Sequence, residues 1–422
     1  MTETELIPMW LLLANALAFL IPWGVALIVA GDLRPGEARQ MALVPLAAFG
    51  LAVIAYAVVG FGLHYGGIGL LYEHPELETL VWEWSVLNEG WGDTWGMAGL
   101  AGFGLAGVQT PVVYLLFLSA LPAATTATLL TMAALRGRAP AIVVALFGLL
   151  TAAVGYSLIG NWIQGGGWLS QLDTNIGAGA GYIDFGMSSL FLLGGGVALA
   201  GALAFRPRRQ ESDSLTESPS ALLPLLAALG AGLVVVGSTG WLLAWPLIDW
   251  AQTSAITLIV HALFAAAAGG LAPLIYTWLV TRHPDPVQGA RGVAAGWVAG
   301  LASLTLVTPS EALLIGAVAG LLMVLVTHLL HHLKHFQDPG GVLATFGIPA
   351  LWGILAVGLF SETPGQLQAQ AVGATTIFLL AFLATTIVAV PLALIGRAWR
   401  GRRVSVVDEA DEEEDTDSKK HG

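Results

Sequence analysis

The sequence predicts an all-α polytopic membrane protein of eleven transmembrane helices, with the N-terminus outside and the C-terminus inside. The first observation is composition: of 422 residues, 56% are hydrophobic and 10% are charged, and the mean hydropathy is +0.78. A soluble domain carries about 25% charged residues, so a soluble enzyme is excluded. The second observation is a series of long apolar stretches, and the third is the placement of basic residues between them.

Eleven apolar stretches are candidate spans, because a membrane helix needs about 20 largely apolar residues. The first stretch is not a cleaved signal peptide, since the chain begins Met-Thr-Glu-Thr-Glu and lacks a basic segment there. The stretches lie at residues 9–30, 42–64, 109–135, 140–162, 185–205, 221–245, 251–281, 292–307, 311–333, 343–361 and 370–397.

The basic residues select one orientation. Lys and Arg accumulate in cytoplasmic loops, and all 16 of them follow an odd-numbered stretch. A wrong number of stretches would scramble this alternation. The pattern therefore predicts eleven spans, an outer N-terminus, an inner C-terminus and a multi-pass protein of the cell membrane.

An odd number of spans suits two five-helix halves of opposite orientation followed by a last helix. The halves are predicted at 9–205 and 221–361 and the last helix at 370–397, within one transmembrane domain of residues 1–400. Both halves end in a Gly-rich span, where small residues let helices approach closely in lipid. Gly-rich helices without a repeat are the alternative interpretation.

The residues after the last span form an acidic cytoplasmic tail, 401–422. Its final part, 408–422, holds eight acids and two lysines, a charge of −6 out of the total of −12. Such a segment is expected to be disordered and solvated. Docking of a cytosolic partner is the other interpretation.

The longest predicted outer loop, about 65–108, combines acids with tryptophans. It holds Glu73, Glu76, Glu78, Glu83, Glu89 and Asp93, and Trp82, Trp84, Trp91 and Trp95. Tryptophan at an interface indicates an aromatic belt or packing around an entrance, and the acids offer cation recruitment as the alternative. The run Gly102–Gly107 matches G-x-G-x-x-G but lacks a preceding strand, so a dinucleotide site is rejected.

Ionisable residues within or beside spans are candidate functional residues. Asp184 stands at the outer start of the fifth span, where it can cap the helix or present a negative charge to a cation. His261, in the seventh span, is either a packing histidine or a pathway residue. A cluster of histidines at the inner end of the ninth span favours the helix C-terminus, with metal binding as the alternative: His328, His331, His332 and His335.

No catalytic or cofactor chemistry is expected. The chain has no cysteine, which excludes disulfides and thiolate metal sites. It shows no nucleophile–base pair, carboxylate dyad or phosphate loop, and no metal or cofactor is predicted. Nothing resembles a nucleic-acid-binding surface.

Several ordered motifs resemble the ammonium transporter and Rhesus (Amt/Rh) channels over about residues 10–400. They are Gly165-Gly166-Gly167-Trp168-Leu169 before Asp184-Phe185, Ala299-Gly300-Leu301 leading to Val307-Thr308-Pro309, Ile315-Gly316-Ala317-Val318-Ala319-Gly320, and Asp338-Pro339 followed by the run from Trp352 to Phe360. Each motif is weak alone, and their order and spacing make the combination specific. The resemblance implies a homotrimer in membrane lipid, each subunit with its own narrow pore for ammonium or ammonia.

The resemblance also implies site residues, transferred one position at a time. It puts the phenylalanine gate on Phe117 and the family aspartate on Asp184. The vestibule tryptophan position holds Gln164, with Trp162 two residues earlier. The two pore histidines fall on Leu192 and Phe346, and a second vestibule phenylalanine and a serine fall on Ala244 and Ile248.

These positions predict a retained scaffold with an altered pore. Replacing both histidines by apolar residues strands no polar partner and removes any histidine proton relay, and Phe346 can also plug the pore. One interpretation is an ammonium/ammonia channel that passes a neutral species. The alternative is a protein of the same fold that does not conduct ammonium, such as a channel for another small neutral solute or gas, a sensor or a structural subunit.

The tail bears on a further partner that the resemblance implies, the PII-type signal protein. The family's tail carries a glycine-leucine-aspartate element, and here only Ser405-Val406-Val407-Asp408-Glu409 and the final His421-Gly422 are faintly similar. An acidic run separates these two pieces. Weak or absent docking is therefore expected.

Overall fold

The computed structural model describes residues 3–31, 33, 37, 40–85, 87, 95–205, 222–247, 254–333 and 338–418. Within these ranges, nine helical stretches are long and apolar enough to cross a membrane. They are Met9–Ala30, Leu43–Leu70, Pro111–Leu135, Ala141–Ile163, Leu222–Leu243, Ala255–Thr281, Pro309–His332, Val342–Phe360 and Gln366–Ile395. The predicted membrane class and helical architecture are therefore confirmed.

The two remaining predicted spans coincide with helices of 16 residues each, Ser189–Ala204 and Pro286–Leu301. The second begins six residues before the predicted start at 292. Its start is fixed by Asp285, whose Oδ1 accepts the backbone N–H groups of Val287 and Gln288. Pro286 occupies the first helical position, where a missing N–H costs nothing. The total of eleven spans and their orientation remain predictions.

The first half contains most of the irregular elements. Two spans, the second and the fourth in sequence, each contain a wide π-helical turn, Tyr56–Gly60 and Thr151–Gly155. The helices are α1 Glu3–Ala18, α2 Leu20–Ala30, α3 Leu43–Ala55, α4 Phe61–Tyr65, α5 Pro111–Leu135, α6 Ala141–Leu150, α7 Tyr156–Ile163, α8 Leu172–Ile176 and α9 Ser189–Ala204.

The second half consists of longer helices and one further π-helical turn, Val342–Gly347. This turn directly precedes α14. The helices are α10 Leu222–Leu243, α11 Ala255–Thr281, α12 Pro286–Leu301, α13 Pro309–His332, α14 Ile348–Phe360 and α15 Gln366–Ser418.

A short hairpin in the predicted outer loop departs from a purely helical fold. Strand β1, Glu83–Trp84, pairs antiparallel with β2, Ala98–Gly99, so that Glu83 lies opposite Gly99. The hairpin packs against α4, where a side chain at Gly99 would meet the backbone of Gly62 and Gly66. The close approach of two backbones explains why glycine occupies this strand position.

Helix α15 runs from Gln366 to Ser418 and so includes residues 401–418 of the predicted tail. No proline or glycine stands between residues 402 and 418. The disorder of the acidic tail and the docking of a partner on it remain predictions.

The two halves meet at glycines. A Cβ atom added to Gly195 in α9 would lie 2.7 Å from the Cα of Gly347, and one added to Gly347 would lie 2.6 Å from the Cα of Gly195. The α9 backbone and the π-helical turn before α14 are thus in direct contact, as expected of small residues in membrane helices.

An aspartate starts each of these two segments. Asp184 accepts the backbone N–H groups of Ser188 and Ser189, and Asp338 accepts those of Leu343 and Ala344. Such acceptors satisfy N–H groups that have no partner within the helix. The two segments therefore begin in the same way, and the division into two inverted halves remains a prediction.

Candidate functional site

A cavity of about 390 Å³ lies between the ends of the helices at the predicted outer side. We call it the outer cavity. Its walls come from α1, α5, α7, α10, the segment after α4 and the segment that leads into α9. Ligand sites are typically concave, largely apolar and furnished with a few polar groups. The outer cavity is therefore the candidate binding site.

Aromatic side chains dominate the wall. Tyr72 and Trp245 stand at 84° to each other with ring centroids 6.1 Å apart, which forms a right-angled corner. Trp241 is fixed by its indole N–H, which donates to the carbonyl of Gly186 at 3.0 Å. The full aromatic lining is Tyr65, Tyr72, Tyr156, Tyr182, Phe185, Trp241 and Trp245.

Asp184 supplies the one charged side chain among the described residues of the wall. It is 3% exposed. Its carboxylate accepts the N–H of Ser188 at 2.8 Å and the N–H of Ser189 at 2.7 Å, and also the Ser189 hydroxyl at 2.5 Å. Tyr182 shares a 2.8 Å hydrogen bond with the same hydroxyl. Asp184 therefore caps α9, as one of the two predicted roles requires.

Burial raises the pKa of Asp184, while its hydrogen bonds from Ser189 and Ser188 act in the opposite direction. The backbone beside it is unusual, because Met187 has a φ of 60°. A left-handed conformation at a non-glycine residue is uncommon. Strained backbone of this kind clusters at ligand sites, and Met187 lines the outer cavity.

Helix α5 presents small side chains to the outer cavity: Ser119, Ala120 and Ala123. Phe117, the predicted gate, is not among the wall residues. Its ring packs on Tyr56 with centroids 5.8 Å apart and on Phe61 at 6.2 Å. The geometry puts Phe117 in an aromatic cluster between helices, so its role as a gate stays a prediction without support from the cavity.

The other predicted vestibule positions separate into three groups. Gln164 and Ala244 line the outer cavity. Trp162 does not, because it is buried beneath the outer loop, where its indole N–H donates to the carbonyl of Met97 at 2.8 Å. Ile248 lies outside the described residues.

A series of packed aromatic rings extends from the wall of the outer cavity into the core. The ring centroid of Trp241, in the wall of the outer cavity, lies 6.4 Å from that of Phe191 and 5.7 Å from that of Trp297. Phe191 in turn stacks on Phe346, with centroids 5.9 Å apart and an angle of 16°. We call these four rings the aromatic floor.

The two positions predicted to replace pore histidines both lie in the core. Leu192 is 1% exposed and Phe346 is fully buried. Phe346 belongs to the aromatic floor through Phe191, the residue that precedes Leu192. Among the residues that form the aromatic floor, none carries an ionisable group.

Sequence reasoning missed His64, which is fully buried at the end of α4. Its Nδ1 shares a 2.8 Å hydrogen bond with the Tyr56 hydroxyl, and its ring stacks on Tyr65 with centroids 3.8 Å apart. The Nε2 atom has no hydrogen-bond partner among the described residues. The signal was available, because an ionisable residue inside a predicted span is a functional candidate by default.

Glu83 is the acid of the outer loop with a distinctive environment. Its Oε1 is buried without a hydrogen-bond partner among the described residues, and so is the Oδ1 of Asn161, whose side chain lies beside it. Burial raises the pKa of Glu83 to about 7, against a smaller opposing effect of Asn161. Protonation of Glu83 would supply a hydrogen-bond donor to these two buried oxygen atoms, which lack a donor while the carboxylate is charged.

The histidines singled out in the sequence show structural roles. The Nδ1 of His261 lies 2.9 Å from the carbonyl oxygen of Leu304, which fits the packing interpretation. His328 lies beside Tyr276, with ring centroids 5.9 Å apart. Within the described part of the chain, no group of three His, Asp or Glu residues is arranged to hold a metal ion. His335 lies outside that part.

At the predicted inner end, Asp338 lies near two buried arginines, Arg138 and Arg291. Burial raises the pKa of Asp338, and the N–H groups of Ala344 and Leu343 and the two arginines lower it in part. Burial lowers the pKa of Arg138, whose charge Asp338 supports. This cluster anchors the turn before the π-helical segment.

Among the described residues, long apolar helices and two aspartate-capped segments that meet at a pair of glycines define a multi-pass membrane protein. An aromatic outer cavity with one carboxylate adds a site suited to a small cation. The sequence model of the Ammonium Transporter Family matches residues 9–422, so the chain belongs to this family.

Relatives and solved structures agree with this family. The chain is 27% identical over 405 residues to ammonium transporter Amt2 of Archaeoglobus fulgidus. The alignment covers 92% of this chain and 79% of that protein. It is 25% identical over 437 residues to an ammonium transporter of Aquifex aeolicus, covering 98% of this chain and 91% of the relative.

Two solved structures share the fold. A sensor Amt protein superposes with a TM-score of 0.76 at 22% identity and covers 93% of this chain and 94% of that one. Mep2 of Candida albicans superposes with a TM-score of 0.70 at 19% identity, covering 90% and 83%.

Proposed function

We propose that this protein is an ammonium/ammonia transport protein of the Amt type with an apolar pore, which receives the cation in the outer cavity and passes a neutral species. The observation that carries the proposal is the outer cavity, where aromatic rings surround one buried carboxylate. Aromatic faces attract cations through their quadrupole. A carboxylate in a narrow cleft adds a focused negative field.

The identity of the permeating species follows from the surroundings of Leu192 and Phe346. Both side chains are buried among apolar and aromatic neighbours. An ion in such a path faces a large desolvation cost that no nearby charge offsets. A neutral ammonia molecule faces a much smaller one. The proton of ammonium therefore stays on the outer side, without a histidine relay.

The aromatic floor favours a second candidate, a protein that binds the cation and does not conduct it. Phe191 and Phe346 are both fully buried and stacked on each other. Rings packed this closely beside the cavity would suit a sensor or a structural subunit.

The assembly and topology of the proposed transporter follow the family. We propose a homotrimer in the cell membrane, with eleven spans, an outer N-terminus and an inner C-terminus. Ammonium or ammonia is the substrate, and a PII-type partner docks weakly or not at all, because the end of α15 is dominated by acids.

Current on a solid-supported membrane and pH-dependent ammonia flux in liposomes test the proposal together. We expect an ammonium jump to give little or no current, and flux to rise with pH as ammonia replaces ammonium. A large current would contradict the neutral-species proposal. Absence of both flux and current, with cation binding retained, would select the non-conducting candidate.

A further inference from the structure

Glu83 is a shielded acid on the predicted outer side, where the protein supplies no basic side chain to pair with it. All 16 Lys and Arg residues follow odd-numbered spans, and none occurs in residues 40–135. The histidine of the outer loop, His74, is exposed, and its Nδ1 accepts the N–H of Glu76. A buried charge is costly unless it is paired. The charge of Glu83 is therefore compensated from solution, by a proton or by a cation.

Asn161 brings a second unused oxygen atom to the same place. It is fully buried in α7, and its Nδ2 donates to the carbonyl of His64 at 3.2 Å. Its Oδ1 has no hydrogen-bond partner among the described residues, and neither has the Oε1 of Glu83. The carboxamide lies close enough to Glu83 to favour the charged form of that carboxyl group.

Glycines let these oxygen atoms approach one another. A Cβ atom added to Gly96 would collide with both carboxylate oxygens of Glu83. One added to Gly167 would lie 2.8 Å from the Oδ1 of Asn161 and 2.9 Å from the carbonyl oxygen of Gly96. That carbonyl accepts the N–H of Trp168 at 3.0 Å and keeps a second lone pair. We call the oxygens of Glu83, Asn161 and Gly96 the outer-loop oxygen cluster.

The outer-loop oxygen cluster has the chemistry of a site for a hard cation. Carboxylate, side-chain amide and backbone carbonyl oxygens are the ligands that such ions take. A proton on Glu83 serves one oxygen atom at a time, whereas a metal ion contacts several at once. With a single carboxylate in the cluster, a monovalent ion balances the charge, and glycine contacts this close suit a small one.

We propose that the outer-loop oxygen cluster binds a small monovalent cation of the sodium class, which ties the β1–β2 hairpin to α7. The proposal goes beyond the proposed function and does not rest on it, because Glu83, Asn161 and Gly96 are not among the residues that line the outer cavity. Sodium and a proton compete for Glu83, so the ion binds when the carboxyl group is charged.

Thermal unfolding of the full-length protein in detergent tests the proposal, with sodium, potassium, ammonium and choline chlorides at equal concentration. At pH 8, we expect sodium to raise Tm by about 2 °C or more relative to choline. Potassium and ammonium should give less than half of this rise, and at pH 5 the sodium effect should disappear. No sodium effect at pH 8, an equal effect of ammonium or potassium, or an unchanged effect at pH 5 would overturn the proposal.

Variants locate the ion. The quantity compared is the Tm in sodium minus the Tm in choline for the same variant, so that a general loss of stability cancels. Glu83→Gln should abolish this difference at pH 8, and Asn161→Ala should at least halve it. Glu78→Gln, at an exposed acid of the same loop, is the matched control and should keep it. A full sodium effect in Glu83→Gln would refute the assigned site.

Sodium NMR of the wild-type protein gives a measurement that needs no variant. We expect the protein to broaden the sodium resonance at pH 8, and acidification to pH 5 to narrow it again. A resonance that the protein leaves unchanged at pH 8 would refute the proposal. Ammonia flux in liposomes judges the proposed function separately, because the sodium measurements involve no transport.

Discussion

The carboxylate of Asp184 serves structure and charge at once. Three donors fix its position, so the cap of α9 holds it rigidly in the wall of the outer cavity. The two interpretations that the sequence left open for this residue are therefore compatible. Replacing Asp184 by the similarly sized asparagine changes both the charge and the hydrogen bonds, so it separates the two roles only in part.

We predict that Asp184→Asn destabilises the protein by about 1–3 kcal/mol. The new NH₂ group would face N–H and O–H donors, which leaves at least one of them unpaired in the buried site. Scanning fluorimetry should show a fall in Tm, and affinity for cations should fall as the charge is lost. Asp173→Asn, at an exposed acid, is the control, and an equal effect there would contradict the assignment.

We predict that the free energy of unfolding depends on pH because of Glu83. Its pKa is raised from 4.5 to about 7 by burial, so the folded state favours the neutral carboxyl group. The stabilisation is complete below pH 4.5, declines as the pH rises to about 7 and stays constant above it. Since the group is only partly buried, the loss should be about 1 kcal/mol after screening by solvent.

The variant Glu83→Gln carries a neutral side chain at every pH, so this part of the decline should disappear. Unfolding curves at pH 5 and pH 8 provide the measurement. Glu78→Gln, at an exposed acid, should keep the wild-type decline. If Glu83→Gln lost as much stability between the two pH values as the wild type, another group would be responsible.

At the scale of elements, the contact between α9 and the π-helical turn before α14 brings two backbones directly together. Its glycines meet at the backbone, with no flexible side chain that can move aside. Any added atom must separate the two segments. Phe191 and Phe346, two of the four rings of the aromatic floor, lie on these two segments.

We predict that Gly195→Ala destabilises the protein by about 1–3 kcal/mol through overpacking. The added Cβ would lie 2.7 Å from the Cα of Gly347. The matched control is Gly232→Ala in α10, where nothing lies within 4 Å of an added Cβ and alanine favours the helix. In thermal unfolding, Gly195→Ala should have a lower Tm than Gly232→Ala. Equal Tm values would contradict the close contact.

The sequence predicted the elements better than the directions of their side chains. Span positions follow from apolar length. Asp184 was singled out because ionisable groups are rare within and beside spans, and its place at the start of a span made a cap one of its two predicted roles. Phe117 was assigned from its position in the family pattern, and a position along the chain does not determine which helix face a ring occupies. The small face of α5 and the burial of His64 depend on packing between distant segments, which one sequence does not display.

At the scale of the whole molecule, the proposed apolar pore can be tested by placing histidines at the two positions that the family resemblance indicates. We predict that Leu192→His with Phe346→His supports more ammonium-driven current than the wild type or either single variant. Each imidazole supplies the hydrogen-bond partner of the other, whereas one alone is left unsatisfied in an apolar wall.

Solid-supported membrane recordings of these variants provide the measurement, with Tm as the control for folding. The single variants should mainly lose stability. A wild-type current as large as that of the double variant would show that another residue carries the proton, with Gln164 and His261 as the first to test.

The absence of cysteine makes the predicted topology directly testable. Asp173→Cys and His283→Cys place single thiols at exposed positions that follow the fourth and seventh predicted spans. In intact cells, an impermeant thiol reagent should label the first and spare the second until lysis. Labelling of the second from outside would reverse the orientation, and labelling of both would refute the span count.

In the proposed channel, the aromatic floor would also limit the rate of passage. If a permeating molecule must part the four packed rings, it waits for collective motions, which take microseconds to milliseconds, far longer than a small molecule needs to diffuse a few ångströms. Passage would then be limited by how often the rings part, so that any small neutral solute would cross at a similar frequency. Turnover would depend steeply on temperature and little on the chemical identity of the small neutral solute in the outer cavity.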